Sequence, residues 1–178
     1  MTAILVTGRP GVGKTTLIRD VLAALVPLSG GCYTRETRDE HGRRTGFELV
    51  TLDGDVATLA GVDLAGPHRV GRYGVDVEAL ERVGVPAIER AVEAGHVVVV
   101  DEIGKMELLS DAFQRAVVEA VRRHRVLLGA IMLAAHPFAD ELKQQPDTFL
   151  YELTEANRDE VRALAEAQLR AALGRLSV

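Results

Sequence analysis

Residues 3–26 read AILVTGRPGVGKTTLIRDVLAALV. Ala3 to Thr7 is a short apolar run of the kind that forms a buried strand, and Thr16 to Val26 carries apolar residues at helical spacing. Pro27 and the Ser29–Gly31 triplet stop that helix. Between strand and helix, Gly8 to Thr15 matches G-x-x-x-x-G-K-[ST] in the context that motif requires. Gly8, Gly11 and Gly13 permit a tight loop whose backbone N–H groups, together with the helix N-terminus, bind phosphate oxygens. Lys14 then reaches the β and γ phosphates, and the Thr15 hydroxyl faces Mg²⁺. The dinucleotide fingerprint G-x-G-x-x-G fails, because Thr16 stands where its last glycine belongs. Gly8, Arg9, Pro10, Gly11, Val12, Gly13, Lys14, Thr15 and Thr16 are therefore the expected phosphate-binding stretch of a P-loop.

A P-loop needs an acid at the end of a neighbouring buried strand. Residues 97–110, VVVVDEIGKMELLS, supply one. The valines bury the strand and Asp101 emerges at its C-terminal edge, where ligands bind in open parallel sheets. Thr15 and Asp101 are thus the expected metal residues. Glu102, directly after the metal acid, is placed to polarise an attacking water as general base. Asp101, Glu102, Ile103 and Gly104 also spell D-x-x-G, a GTPase switch signature. The guanine-reading N-K-x-D is missing, since Asn157 to Glu160 reads NRDE. Only three of the 21 basic residues are lysines, and two of them, Lys14 and Lys105, lie in these motifs. Lys105 reads either as a source of positive charge for the transition state or as a solvated lysine at a helix start.

The remaining chain alternates strands and helices. Cys32–Arg38 and Arg43–Leu52 form an expected hairpin around the turn DEHG, an insertion or edge addition to the sheet. Residues 55–75 are glycine-rich and give no clear pattern. A helix is expected from Asp76 to Ala94, broken near Gly84 and Pro86 and ended by Gly95. Another runs from Met106 to Arg123, followed by a strand at Val126–Leu133. His136–Asp147 is a loop or short helix. A strand at Thr148–Leu153 precedes a last helix capped by Thr154 and running to about Leu173. Strands without alternation, separated by helices, indicate an α/β fold with a mostly parallel sheet covered on both faces. One domain spanning 1–178 is expected, since 178 residues with 47% hydrophobic content build one real core.

The net charge of −5 gives no indication of nucleic-acid binding. The stretch Val126–Ala135 is about half the length needed to span a bilayer. The N-terminus lacks a basic n-region, and the lone Cys32 excludes an internal disulfide or a multi-cysteine zinc site. His41, His68, His96, His124 and His136 show no ligand spacing. These features together fit a cytoplasmic protein with no membrane association. Arg35, Arg38, Arg43 and Arg44 read as cross-strand solvated charges facing Glu36, Asp39 and Glu40, or alternatively as a phosphate or acceptor clamp. Tyr73 is either a base platform or a half-buried structural residue. Asn157 and Arg158 either cap the last helix or line a base pocket.

The pattern as a whole resembles the thermophilic nucleoside-triphosphatase family of P-loop proteins, called cancer-related nucleoside-triphosphatase in animals. The resemblance spans nearly the full length. It rests on GRPGVGKTTL, on GCYTRETRDEHGRRTGFELVTL from Gly31, on VGRYGVDV from Val70, on VVVVDEIGKMELLS and on LTEANRDE from Leu153. Cys32 departs from the pattern, standing where family members often have Phe in a packing role. The resemblance implies a three-layer RecA-like α/β fold. It also implies slow, Mg²⁺-dependent hydrolysis of several nucleoside triphosphates, with Glu102 and Lys105 at functional positions. In that reading the catalytic residues are Glu102, Lys14 and Lys105, and ATP, GTP, CTP and UTP or TTP go to diphosphate and phosphate. Two rival readings use the same P-loop: a kinase acting on a small molecule, nucleotide or polynucleotide, and a nucleotide-gated binding switch. The adjacent Glu102 speaks against a kinase, which gains nothing from activating water. Nucleoside triphosphates are the expected partners, and protein partners are left open by the sequence.

Overall fold

The computed structural model describes residues 2–25, 28–123 and 125–176. The expected helix end at Val26 and Pro27, and His124, lie outside them. Among the described residues one mixed sheet of nine strands runs through the molecule, in the order β5-β6-β4-β3-β2-β7-β8-β1-β9. Its parallel part comprises β2 (Ser29–Arg38), β7 (Val97–Ile103), β8 (Val126–Ile131), β1 (Thr2–Thr7) and β9 (Thr148–Glu152). The strand that leads into the P-loop, β1, and the strand that carries Asp101, β7, are thus separated by β8. That is the RecA-like arrangement.

Side-chain alternation builds three layers from this sheet. Ile4 and Val6 of β1, Val97 and Val99 of β7, and Val126 and Leu128 of β8 face one way. They pack on Leu17, Ile18 and Val21 of α1 (Lys14–Leu25) and on Val161, Ala165 and Leu169 of α6 (Arg158–Leu176). Ala3, Leu5, Val98, Val100 and Leu127 face the other way. Their partners include Ile88 and Ala91 of α3 (Val85–Ala94) and Phe113 and Val117 of α4 (Asp111–Arg122). Continuous apolar runs are what a strand needs when both its faces are covered.

The hairpin is more deeply integrated than an edge addition. Its first strand, β2, pairs parallel with β7 and antiparallel with β3 (Arg44–Thr51). The Ser29–Gly31 triplet, expected as a helix stop, opens β2 instead. Gly31 comes so close to β7 that a Cβ there would lie 2.1 Å from the Val99 carbonyl oxygen. Residues 55–75 extend the antiparallel half through β4 (Val56–Gly61), β5 (Arg69–Val70) and β6 (Tyr73–Val75).

The expected helix over 76–94 is continuous rather than broken. Asp76 caps α2 (Val77–Ala79), a π turn follows at Leu80–Gly84, and α3 continues directly from it. Pro86 therefore lies inside a continuous helical run, where it lacks the N–H an interior residue would donate, and the π turn directly before it is where the hydrogen-bond ladder is irregular. Gly95 closes α3 with its N–H on the Ala91 and Val92 carbonyls. The helix expected from Met106 begins as a 3-10 turn at Glu107–Leu109; Ser110 then caps α4 by accepting from the Phe113 N–H at 3.0 Å. The strand expected to reach Leu133 ends at Ile131, and α5 (Pro137–Lys143) occupies the uncertain 136–147 stretch. Thr154 does not cap α6, which begins at Arg158. Asn157 holds the preceding loop, accepting from the Thr154 N–H and donating to the Glu152 carbonyl. No described helix is long and apolar enough to cross a membrane.

Candidate active site

The two motifs meet at the C-terminal edge of the parallel strands. β1 ends at Thr7, the glycine loop turns over the sheet edge, and α1 starts at Lys14. The loop is packed from behind by the segment between β9 and α6. A Cβ on Gly8 would lie 2.5 Å from the Leu153 carbonyl oxygen, and one on Gly13 would lie 2.8 Å from both terminal nitrogens of Arg158. Space as well as backbone angle requires glycine at Gly8, with φ of 147°, while at Gly13 the requirement comes from its φ of 99°, since the Arg158 guanidinium can move aside. Arg9, Pro10, Gly11 and Thr16 are exposed, while Val12, Gly13 and Thr15 are half-buried.

Lys14 is buried, at 8% exposure, and its ammonium donates to the Gly8 carbonyl at 3.1 Å and the Arg9 carbonyl at 3.3 Å. The lysine thus closes its own loop into a ring. Across the edge, β7 shifts register against β8 between Val100 and Ile103, which takes Asp101 and Glu102 out of that ladder. Irregularities of this kind re-aim side chains next to sites. Asp101 is 2% exposed, and neither of its oxygens has a hydrogen-bond partner among the described residues. Burial pushes its carboxyl up to about 6; the nearby Thr15 hydroxyl and Lys14 pull it down and Glu102 pushes it up. The Thr7 hydroxyl at the end of β1 is a further buried polar atom without a partner.

Glu102 is half-buried. Ile103 is fully buried in the core, with its carbonyl accepting from the Met132 N–H at 3.0 Å. Gly104 is buried and Lys105 is exposed on the turn that follows. A residue that the motif reading missed lies next to them. Glu107 is 6% exposed and accepts from the Gly104 N–H at 3.2 Å. Burial, reinforced by Glu102 and Asp101, pushes its carboxyl up to about 8. The same surroundings push the buried Cys32 thiol up to about 12, so Cys32 is an inert packing residue. Arg158 is the other residue whose role the sequence left open; it neither caps α6 nor stands apart, but donates to the Val12 carbonyl.

The remaining candidates separate from this site. The hairpin arginines are held by acids: Arg35 by Glu48 at 2.7 Å, Arg43 by Asp39 at 3.0 Å, Arg44 by Glu36 at 2.7 Å, and Arg38 also by Glu36. These are solvated charge pairs as expected, but only Arg35 and Arg44 pair across strands, Arg35 with Glu48 rather than one of the expected acids, and Glu40 lies against His41. Tyr73 packs edge-on against Phe47, 5.3 Å between ring centres, on β6 near the far end of the sheet from β1. A groove of about 850 Å³ between α3 and α4 holds none of the motif residues. Among the described residues no cluster of three His, Cys, Asp or Glu side chains forms a metal cage.

Comparison with known proteins agrees with this geometry. A family model described as NTPase matches residues 3–164. The nucleoside-triphosphatase THEP1 of Thermotoga sp. (strain RQ2) is 44% identical over 156 residues, 88% of this chain and 88% of its own. That of Methanopyrus kandleri is 45% identical over 164 residues, 89% of each. Among solved structures, the crystal structure of THEP1 from Aquifex aeolicus superposes with a TM-score of 0.83 at 34% identity, covering 91% of this chain and 95% of that one. The solution structure of a human cancer-related nucleoside triphosphatase superposes with a TM-score of 0.81 at 34% identity, covering 96% and 98%. Motifs, strand order and similarity over nearly the whole length agree: the chain belongs to the nucleoside-triphosphatase (NTPase) family of P-loop proteins.

Proposed function

We propose that the chain is a Mg²⁺-dependent phosphohydrolase that converts ATP, GTP, CTP and UTP or TTP to the diphosphate and phosphate, with slow turnover and broad base tolerance. The observation that carries this reading is Asp101. A buried carboxylate with two unpartnered oxygens, beside the hydroxyl of Thr15 and at the edge of a phosphate loop, is costly unless something satisfies it. A hard cation does so with oxygen ligands and takes its remaining ligands from phosphates and water. Thr15 and Asp101 would hold Mg²⁺, which when bound neutralises charge on the polyphosphate.

The chain's own groups do the rest. The N–H groups of the loop from Gly8 to Thr16 bind and orient the phosphates. Lys14 exchanges its bonds to the Gly8 and Arg9 carbonyls for the β and γ phosphate oxygens. Glu102 accepts the proton of the attacking water, and Lys105, on the adjacent turn, is available to offset charge as it develops. Base tolerance follows because these contacts are made to phosphate, which carries no base identity.

The test is phosphate release from ATP, GTP, CTP and UTP with Mg²⁺ and no acceptor, comparing wild type with Lys14→Ala. Slow release from all four, abolished by the substitution, is the expected result. Tight nucleotide binding without release would instead favour a kinase or a partner-gated switch.

A further inference from the structure

Glu107 is a carboxyl group 6% exposed, in a turn whose Ile103 and Leu108 belong to the core at 0% and 7% exposure. Fold alone does not call for an acid there, since a buried acid costs stability that an apolar residue of similar volume does not. What Glu107 does instead is hold one backbone group, the Gly104 N–H, at 3.2 Å. The Gly104 carbonyl in turn accepts from the Leu108 N–H at 3.0 Å, so the turn is pinned at both ends of one residue. On its bare Cα side, Gly104 is flanked by two carboxyl groups at once. A Cβ placed there would lie 3.1 Å from Glu107 Oε2 and 3.3 and 3.5 Å from the Cγ and Cδ of Glu102. The side chain of Glu102 therefore runs along the wall that Glu107 fixes.

We propose that Glu107 is a positioning residue, which clamps the turn at Gly104 and thereby aims the Glu102 carboxylate at the attacking water. The proposal rests on the general-base role proposed for Glu102. Glu107 touches no substrate; it acts through the turn. Its raised carboxyl, held largely protonated near neutral pH, suits this task, because it adds no full charge beside Asp101 and Glu102.

The test is a double-mutant cycle on the full chain, with kcat for ATP hydrolysis, Kd for ADP and Tm measured for each variant. Glu107→Leu should lower kcat about 10- to 100-fold, the usual loss for a supporting partner, while Kd for ADP moves less than about threefold. Glu107→Gln keeps an acceptor oxygen for Gly104 and should recover most of that loss. In a Glu102→Gln background, Glu107→Leu should cost less than about threefold more, because the group it aims is already gone. Equal loss in both backgrounds, a loss carried entirely by ADP affinity, or unchanged kcat in Glu107→Leu each overturns the proposal while leaving the Glu102 reading intact. Full activity in Glu102→Gln alone would remove the general base, and the proposal with it. Should Glu107→Leu fail to fold, Gly104→Ala takes its place in the same cycle, since its methyl crowds the same two carboxyl groups.

Discussion

Arg158 donates from Nη2 to the carbonyl of Val12 at 2.7 Å, joining the first residue of α6 to the phosphate loop 146 positions earlier. The contact ties the loop to α6 through a backbone carbonyl and uses none of the loop's N–H groups, so the arginine acts as a brace. Arg158→Ala should therefore weaken nucleotide binding and leave the chemical step nearly intact. Hydrogen bonds from charged donors contribute about 1.5–3 kcal/mol when buried, and this one is exposed, so a rise in ADP Kd of about 3- to 10-fold is expected. Titration calorimetry with ADP checks it; unchanged affinity would make the contact incidental.

Gly13 is the counterpart of that brace. Its bare Cα faces the Arg158 guanidinium, which a methyl there would have to push aside, and its φ of 99° is one that L side chains rarely adopt. Gly13→Ala should lower both Tm and nucleotide affinity. Removing the guanidinium relieves the clash but not the backbone strain, so Gly13→Ala with Arg158→Ala should regain part of the Tm, making the two changes non-additive. Strict additivity in thermal melts would show that the two groups do not press on each other.

Much of this site was legible in the sequence, for identifiable reasons. The loop from Gly8 to Thr15 and the run VVVVD each encode a local structure and a chemistry in the same letters, and β1, β7 and α1 follow to within a residue or two. The antiparallel half showed only its first hairpin, β2 with β3. β5 and β6 are two and three residues long, too short for alternation to register within a glycine-rich stretch. The π turn at Leu80–Gly84 kept the 77–94 run helical where Gly84 and Pro86 signalled a break. Glu107 was hidden for a different reason. Written among Met106, Leu108 and Leu109 in a helix-like stretch, an acid looks solvated; only its burial and its bond to Gly104 show otherwise. Thr154 misled because a plausible cap stands four residues before the helix begins.

Glu102 provides the sharpest separation of binding from chemistry. Glu102→Gln keeps size and shape beside Asp101 and Gly104, so Mg-nucleotide binding should persist. Hydrolysis should fall by roughly two to four decades, the usual consequence of losing a general base. Phosphate release, measured alongside ADP affinity, decides. Unchanged release would remove Glu102 from the mechanism.

The hairpin arginines should be nearly silent in the same assay. Arg35 is bound by Glu48, its direct cross-strand neighbour, at 3.0 and 2.7 Å through two nitrogens, and both side chains reach solvent. Pairs of this kind contribute little even to stability. Arg35→Ala should leave ATP hydrolysis within about twofold of wild type. A large fall in kcat would revive the phosphate-clamp reading and would require Arg35 to leave Glu48 during turnover.

The buried acids also set a pH dependence of stability whose sign is fixed. The Glu107 carboxyl moves from its ordinary value of 4.5 in the unfolded chain to about 8 in the fold. Between those values the folded state keeps a proton that the unfolded chain releases. Stability must then fall as pH rises through that window, and level off above it. Asp101, moved from 3.8 to about 6, adds to the fall in the lower part of the window when no nucleotide is bound. Glu107→Gln cannot ionise and keeps an acceptor for the Gly104 N–H, so it removes the larger contribution. Its Tm relative to wild type should therefore rise steadily from pH 5 to pH 8, both proteins being measured without nucleotide. A constant difference across that range would show that Glu107 does not retain its proton in the fold. A difference that shrinks would mean that the charged carboxylate is the form the fold prefers.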